Sequence, residues 1–151
     1  MPLLRVTLTP GAFDDMQQQH LAAALTEAAC RAESVSDDPQ SRMRALVLIE
    51  ELATGAFFSA GQRVEDAVAG VFIDWQVSAG VLDGARKAHF ATELQLAAVD
   101  AVGDRQRLVV TSCVIHEVPE GQWAQNGAIR RLPEVAAIAG FEHLSAVAGH
   151  R

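Results

Sequence analysis

The sequence has no tyrosine, two cysteines and two tryptophans among its 151 residues. Cys30 and Cys113 are too few and too far apart to make a disulfide framework or a metal-binding spacing. A reducing compartment, the cytoplasm, is therefore expected. No run of 18 uncharged apolar residues occurs, so no membrane span is expected. The N-terminal stretch MPLLRVTLTP lacks the basic start and long apolar run of a signal peptide. Positive charge is the scarcer sign: 12 Lys and Arg stand against 19 Asp and Glu, a net charge of -7. That balance argues against nucleic acid or an anionic membrane as partner. The histidines His20, His89, His116, His143 and His150 are scattered without ligand spacing, so no metal is expected. What is present is apolar material, half of the chain. That composition excludes a mostly disordered protein, and a chain of this length can bury roughly 68–70% of its extended surface, so it needs no metal or disulfide to fold.

The apolar material has a rhythm that occurs twice. Leu3 to Leu8 alternates with period two and reads as a strand. Thr9-Pro10-Gly11 is a turn, and Asp14 or Asp15 caps a helix running from Met16 to about Ala32, with Leu21, Leu25, Ala28 and Ala32 on one face. Ser34 to Ser41 reads as a loop, and Arg44 to Leu52 as a second strand of the kind covered on both faces. The order then repeats: strand Val71 to Val77, a turn at Ser78-Ala79-Gly80, and a helix from Asp83 to about Val102, ended by Gly103-Asp104. Strand Leu108 to Val118 closes the second round. The helix-start acids Asp14 and Asp83 keep nearly the same offset as the strand-end acids Glu51 and Glu117, as an internal repeat requires.

Each strand-helix-strand forms a right-handed parallel unit. Two units side by side predict an α/β fold, an α+β sandwich: a four-stranded, mainly parallel sheet with two helices on one face. The chain reads as one domain over 1–151, with pseudo-repeats at about 2–61 and 70–131 and a C-terminal tail at 132–151. Segments 53–70 and 119–151 are too short and broken to cover the other face of the sheet. Oligomerisation is therefore expected, in preference to a monomer whose tail packs over the sheet. Short helices are expected near 133–138 and 142–144.

Three features coincide: Pro2 directly after the initiator Met at the head of a strand, a duplicated strand-helix-strand unit, and the segment CVIHEVPEGQWAQNGA from Cys113 to Ala128. Together they resemble the tautomerase superfamily, whose type member is 4-oxalocrotonate tautomerase. The chain is similar to its fused-pair members, which include cis-3-chloroacrylic acid dehalogenase and malonate semialdehyde decarboxylase. The resemblance implies a tautomerase/MIF-like fold, removal of Met1, and Pro2 as the catalytic general acid or base, with no cofactor. A free α-amino group has a pKa of about 7.7–8.0. A nearby cation or partial burial would push it down toward neutrality, where it can shuttle a proton on a small enolisable 2-oxo acid or ketone. A cytoplasmic homotrimer is implied as well.

The substrate-binding residues depart from the family pattern. Where the family has arginine before the first helix, this chain has Ala12, and Val81 or Leu82 in the second half. Where it has arginine in the following strand, the matches are Leu46 and Ser112. Arg44, two residues before Leu46 on the same strand face, is the candidate substitute. Arg86 and Lys87 start the second helix, where they could turn toward a neighbouring site; Lys87 reads rather as part of a solvated helix face. The family's pocket-mouth aromatic maps to Phe57 and Trp123. Gln125 and Asn126 hold water or an enol oxygen without acting as bases, and Arg130 is a further candidate cation. His116 reads as a hydrogen-bonded structural residue, Asp74 as a partner of Arg5, and Cys113 as core. The first reading is a tautomerase (an isomerase). The alternatives are a hydratase, dehalogenase or decarboxylase of the same superfamily, or an oligomeric binding protein whose site has decayed.

Overall fold

The computed structural model of the protein describes residues 2–103 and 106–148. Met1, Asp104 and His150 lie outside the described residues. Strand β1 (Leu3–Leu8) buries Leu4, Val6 and Leu8 on one side, as its alternation requires. The Asp14 carboxylate accepts from the Gln17 N–H while the Gln17 side chain accepts from the Asp14 N–H. This reciprocal cap starts α1 (Asp15–Glu33). Ser34 ends the helix in the left-handed region at φ 51°.

A short helix α2 (Pro39–Arg42), capped by Asp38, interrupts the stretch read as loop and strand start. The amides of Arg44 and Ala45 turn back to the carbonyls of Ser41 and Arg42. They are unavailable to the sheet, so β2 (Leu46–Glu51) begins two residues later than its apolar run suggests. Arg44 consequently sits on a turn, not on the strand.

After the hairpin β3 (Phe58–Ser59) and β4 (Gln62–Arg63), the second round follows: β5 (Val68–Ser78), α3 (Gly84–Ala101) capped by Asp83, and β6 (Leu108–Val118). The hairpin β7 (Trp123–Gln125) and β8 (Ala128–Arg130) leads to α4 (Leu132–Ala139). A 3-10 turn at Glu142–Leu144 and α5 (Ser145–Ala148) end the described chain.

The four long strands form one sheet in the order β2-β1-β5-β6. The outer pairs are parallel and the central pair, β1 with β5, is antiparallel. Two right-handed units joined through their first strands give this mixture. Helices α1 and α3 pack together on one face. Between them and the sheet lie Leu21, Leu25, Trp75, Phe90 and Leu94, all at most 2% exposed. The β-α-β repeat architecture expected from the sequence is thus the observed one.

The other face carries Leu46, Leu48 and Val114, each about half exposed. The tail leaves that face open. It docks instead at one end of the sandwich, where Ser36 N–H donates to Ala139 O (3.2 Å) and the His143 ring nitrogen meets Val81 O (2.9 Å). Among the described residues no helix is long and apolar enough to cross a membrane.

Candidate active site

Pro2 is buried immediately ahead of β1, and its carbonyl accepts the Leu46 N–H at 2.9 Å. Alternation along β1 puts it on the helix side with Leu4. The antiparallel register that sets Leu3 against Gln76 and Leu4 against Trp75 brings Pro2 to the level of Val77. A right-handed crossover runs its helix back against the strand, so the C-terminal end of α1 returns beneath the start of β1. The residue there is Glu33, which is 0% exposed.

Leaving water pushes the Glu33 carboxyl above its ordinary range; the charge of the chain's N-terminus and the Trp75 indole N–H oppose that rise. Trp75 is itself 0% exposed and stacks on Phe90 at 4.2 Å. Its Nε1 makes no hydrogen bond of normal geometry among the described residues. A buried carboxyl and a buried indole N–H therefore share the helix-side end where Pro2 lies.

At the same end, Ser78, Trp123, Gln125, Arg130 and Val135 line a crevice. The β7–β8 ladder sets Trp123 against Arg130 and Gln125 against Ala128, so these side chains fall on one face of the hairpin. Asn126 and Gly127 close it with φ 50° and 77°, the paired positive values that a two-residue primed turn demands. Asn126 is exposed at the tip, and the turn alone accounts for its residue type.

Arg130 Nε is buried without a hydrogen-bond partner among the described residues, leaving a donor for a ligand. The crevice has about 10 Å³ of room, enough for one water and no more. The Glu120 carboxylate nearby accepts the Leu132 N–H at 3.1 Å and anchors the tail's first helix.

The other candidate cations named from the sequence are engaged. Arg44 Nη1 donates to Ile138 O at 3.1 Å. Arg42 is held by Glu27 and Asp37, and Arg86 by Ala32 O and Ser34 Oγ. Lys87 pairs with Glu117 at 2.9 Å on the solvated helix face. The sequence reading allowed a nearby cation or partial burial to tune the amine; Pro2 is buried, and the buried ionisable side chain at its end is the acid Glu33.

Phe57 stacks on Phe72, which pairs with Thr7 near the far end of β1. Within one chain it is separated from Pro2 by nearly the length of that strand. Asp74 meets His116 at 3.0 Å on the open face, so its partner is the histidine and not Arg5. Burial, with a smaller contribution from Asp74, pushes the Cys113 thiol up to about 11. The fold brings Pro2, Trp123, Gln125 and Arg130 to one end and leaves Phe57 at the other.

Sequence reasoning passed over Glu33, although a signal was present. Leu25, Ala29 and Glu33 stand at i, i+4 and i+8, which places the carboxyl on the buried stripe of α1.

This is the tautomerase/MIF-like fold. Among solved structures, the chain is similar to the Q0 fused 4-OT, a wild-type symmetric trimer, at 22% identity and a TM-score of 0.63, covering 83% of this chain and 94% of that one. Pt0534, inactivated by 2-oxo-3-pentynoate, matches at 15% identity and TM-score 0.65 over 83% and 93% of the two chains. N1, a member of the cis-3-chloroacrylic acid dehalogenase family, matches at 16% and 0.63 over 83% and 82%. No family model and no curated protein matches the sequence.

Proposed function

We propose that the chain is a cofactor-independent tautomerase whose N-terminal proline, Pro2 after removal of Met1, moves a proton on a small enolisable 2-oxo acid or ketone. The observation that carries this reading is the placement of Pro2. It is buried at the head of β1, at the end of the sandwich where Trp123, Gln125 and Arg130 line a crevice. The amine supplies the acid–base group. Trp123 supplies an apolar wall, and Arg130 Nε supplies a donor for a carboxylate or an enolate oxygen. The crevice presents the neutral Gln125, which can hold water or an enol oxygen but cannot act as a base, and the Glu120 carboxylate nearby is bonded to the Leu132 N–H; the amine is the acid–base group this reading uses.

The assembly belongs to the same reading. The exposed Leu46, Leu48 and Val114 make the open face a contact surface, and the Q0 fused 4-OT is a symmetric trimer. Equilibrium sedimentation should give three times 16.1 kDa.

The test of function is the enol-to-keto conversion of phenylpyruvate, followed by ultraviolet absorbance with protein whose N-terminus is confirmed by intact mass. Wild-type activity that vanishes in Pro2→Ala supports the reading. An unchanged rate in Pro2→Ala removes it. Correctly processed but inactive protein would turn the weight to a binding role.

A further inference from the structure

A carboxyl group taken fully out of water is costly unless a donor or cation meets it. Glu33 is such a group, and its position is fixed. It is the last residue of α1, held by the left-handed Ser34 and by the bonds of Ser34 N–H to Arg31 O (3.1 Å) and Val35 N–H to Cys30 O (2.9 Å). Pro2 is buried on the helix side of the neighbouring strand end, and the indole N–H of Trp75, one strand over, is buried and favours the ionised form of the Glu33 carboxyl. Processing that frees the Pro2 nitrogen creates a new amine at this end.

We propose that Glu33 and the free Pro2 amine of the mature chain form a dyad that holds one proton between them across neutral pH. This deepens the assignment of Pro2 as the acid–base group and rests on it. Glu33 acts as a positioning residue: it keeps a proton on or beside the prolyl nitrogen. In ketonisation the dyad gives its proton to the enol carbon and receives the proton of the enol hydroxyl. The dyad ends as it began, and the substrate has moved one hydrogen from oxygen to carbon.

The surrounding charged groups do not compete for that proton. On α1, Glu27 is held by Arg42, and Cys30 is a thiol whose pKa burial has raised. From the α2 turn, Arg42 and Arg44 are committed to Glu27, Asp37 and Ile138 O. From α3, Arg86 is committed to Ala32 O and Ser34 Oγ. From the tail, His143 is committed to Val81 O. The sheet presents Leu4, Trp75 and Val77, none of which titrates in this range.

The dyad predicts titrations opposite in direction to those of a proline tuned by a cation. The mature protein, labelled with 15N-proline and 13C-glutamate, would be titrated by NMR. The amine is assigned by loss of its signal in Pro2→Ala. The expected result is an amine midpoint above the ordinary α-amino value of about 7.7–8.0, with the Glu33 carboxyl carbon responding at the same midpoint. In Glu33→Gln the amine midpoint should fall by about one unit or more, a tenfold loss of proton affinity. The basic limb of kcat/KM should fall with it, and Glu33→Asp should restore part of both.

A wild-type amine that titrates at or below the ordinary value, with Glu33 titrating alone near about 4.3, overturns the dyad without any variant. An unchanged amine midpoint in folded Glu33→Gln overturns it equally. The Pro2→Ala kinetics are a separate readout. Activity lost there with no Glu33 linkage leaves the tautomerase reading intact and removes the dyad. Linkage with activity unchanged in Pro2→Ala removes the tautomerase reading.

Discussion

Phe141 is the residue on which the tail's attachment turns. It is 1% exposed and the largest buried side chain after α4. Its N–H closes the end of that helix on Ala136 O at 3.1 Å, and its ring lies 6.0 Å from His143. Truncation of a buried phenylalanine to alanine costs about 3–5 kcal/mol, the transfer loss plus the cavity. At about 2–4 °C per kcal/mol for a chain of this length, Phe141→Ala should lower Tm by about 6–20 °C. Urea unfolding at 25 °C measures the same loss directly. The consequence reaches the site, because the same segment supplies Ile138 O to Arg44 and Ala139 O to Ser36. Loosening it should free the Arg44 guanidinium and speed tryptic cleavage after Arg131, just ahead of α4. Should the tail detach before the rest unfolds, the cleavage rate rises while the main transition moves less. A stability loss below about 1 kcal/mol together with unchanged cleavage would refute the docking described here.

Gly70 and Cys113 give two further tests. A Cβ at Gly70 would lie 2.7 Å from Phe72 Cε2 and 2.8 Å from Thr9 Cγ2, so Gly70→Ala should cost about 1–3 kcal/mol by overpacking, and a urea midpoint equal to wild type would contradict the contact. The Cys113 thiol keeps its proton more tightly in the folded chain, with a pKa raised from 9.0 to about 11, chiefly by burial. Between those values the folded state binds more protons than the unfolded one, so stability is complete below pH 9.0 and falls as pH rises toward about 11. Urea curves at pH 8 and 10.5 should show wild type losing more stability than Cys113→Ala, and equal losses would contradict the burial of the thiol.

The parts of this fold that were legible in the sequence are those fixed by local chemistry or by long periodicity. β1 and β6 occupy the residues their alternation marked, and the Asp14 and Asp83 caps start both long helices. Arg44 was misplaced because a turn that captures the amides of residues 44 and 45 is set by a helix of four residues, too short to announce itself by period. The short helices expected near 133–138 and 142–144 form at Leu132–Ala139 and Glu142–Leu144; where they dock was not legible. They hold their shape by burying Val135, Ala136, Ala139 and Phe141 against the rest of the chain, and tertiary burial of that kind leaves no local mark. Trp123 and Gln125 share a face because residues two apart on one strand point the same way, whereas Asn126 falls at the exposed turn.

Glu33 shows the limit from the other side. Its helical spacing was readable, yet a lone carboxyl on an apolar stripe takes its meaning from what the opposing strand presents. Here that strand begins with a buried proline, and the proposed dyad is what gives the carboxyl a partner in the mature chain. The absence of the family's arginines then acquires a physical companion. In the proposed dyad the one shared proton leaves the Pro2 end net neutral, and Arg130, in the crevice at that end, is the candidate cation for a substrate anion. A monoanionic or neutral enol suits that balance better than a dicarboxylate, for which one arginine and one shared proton leave excess negative charge in a site with little water.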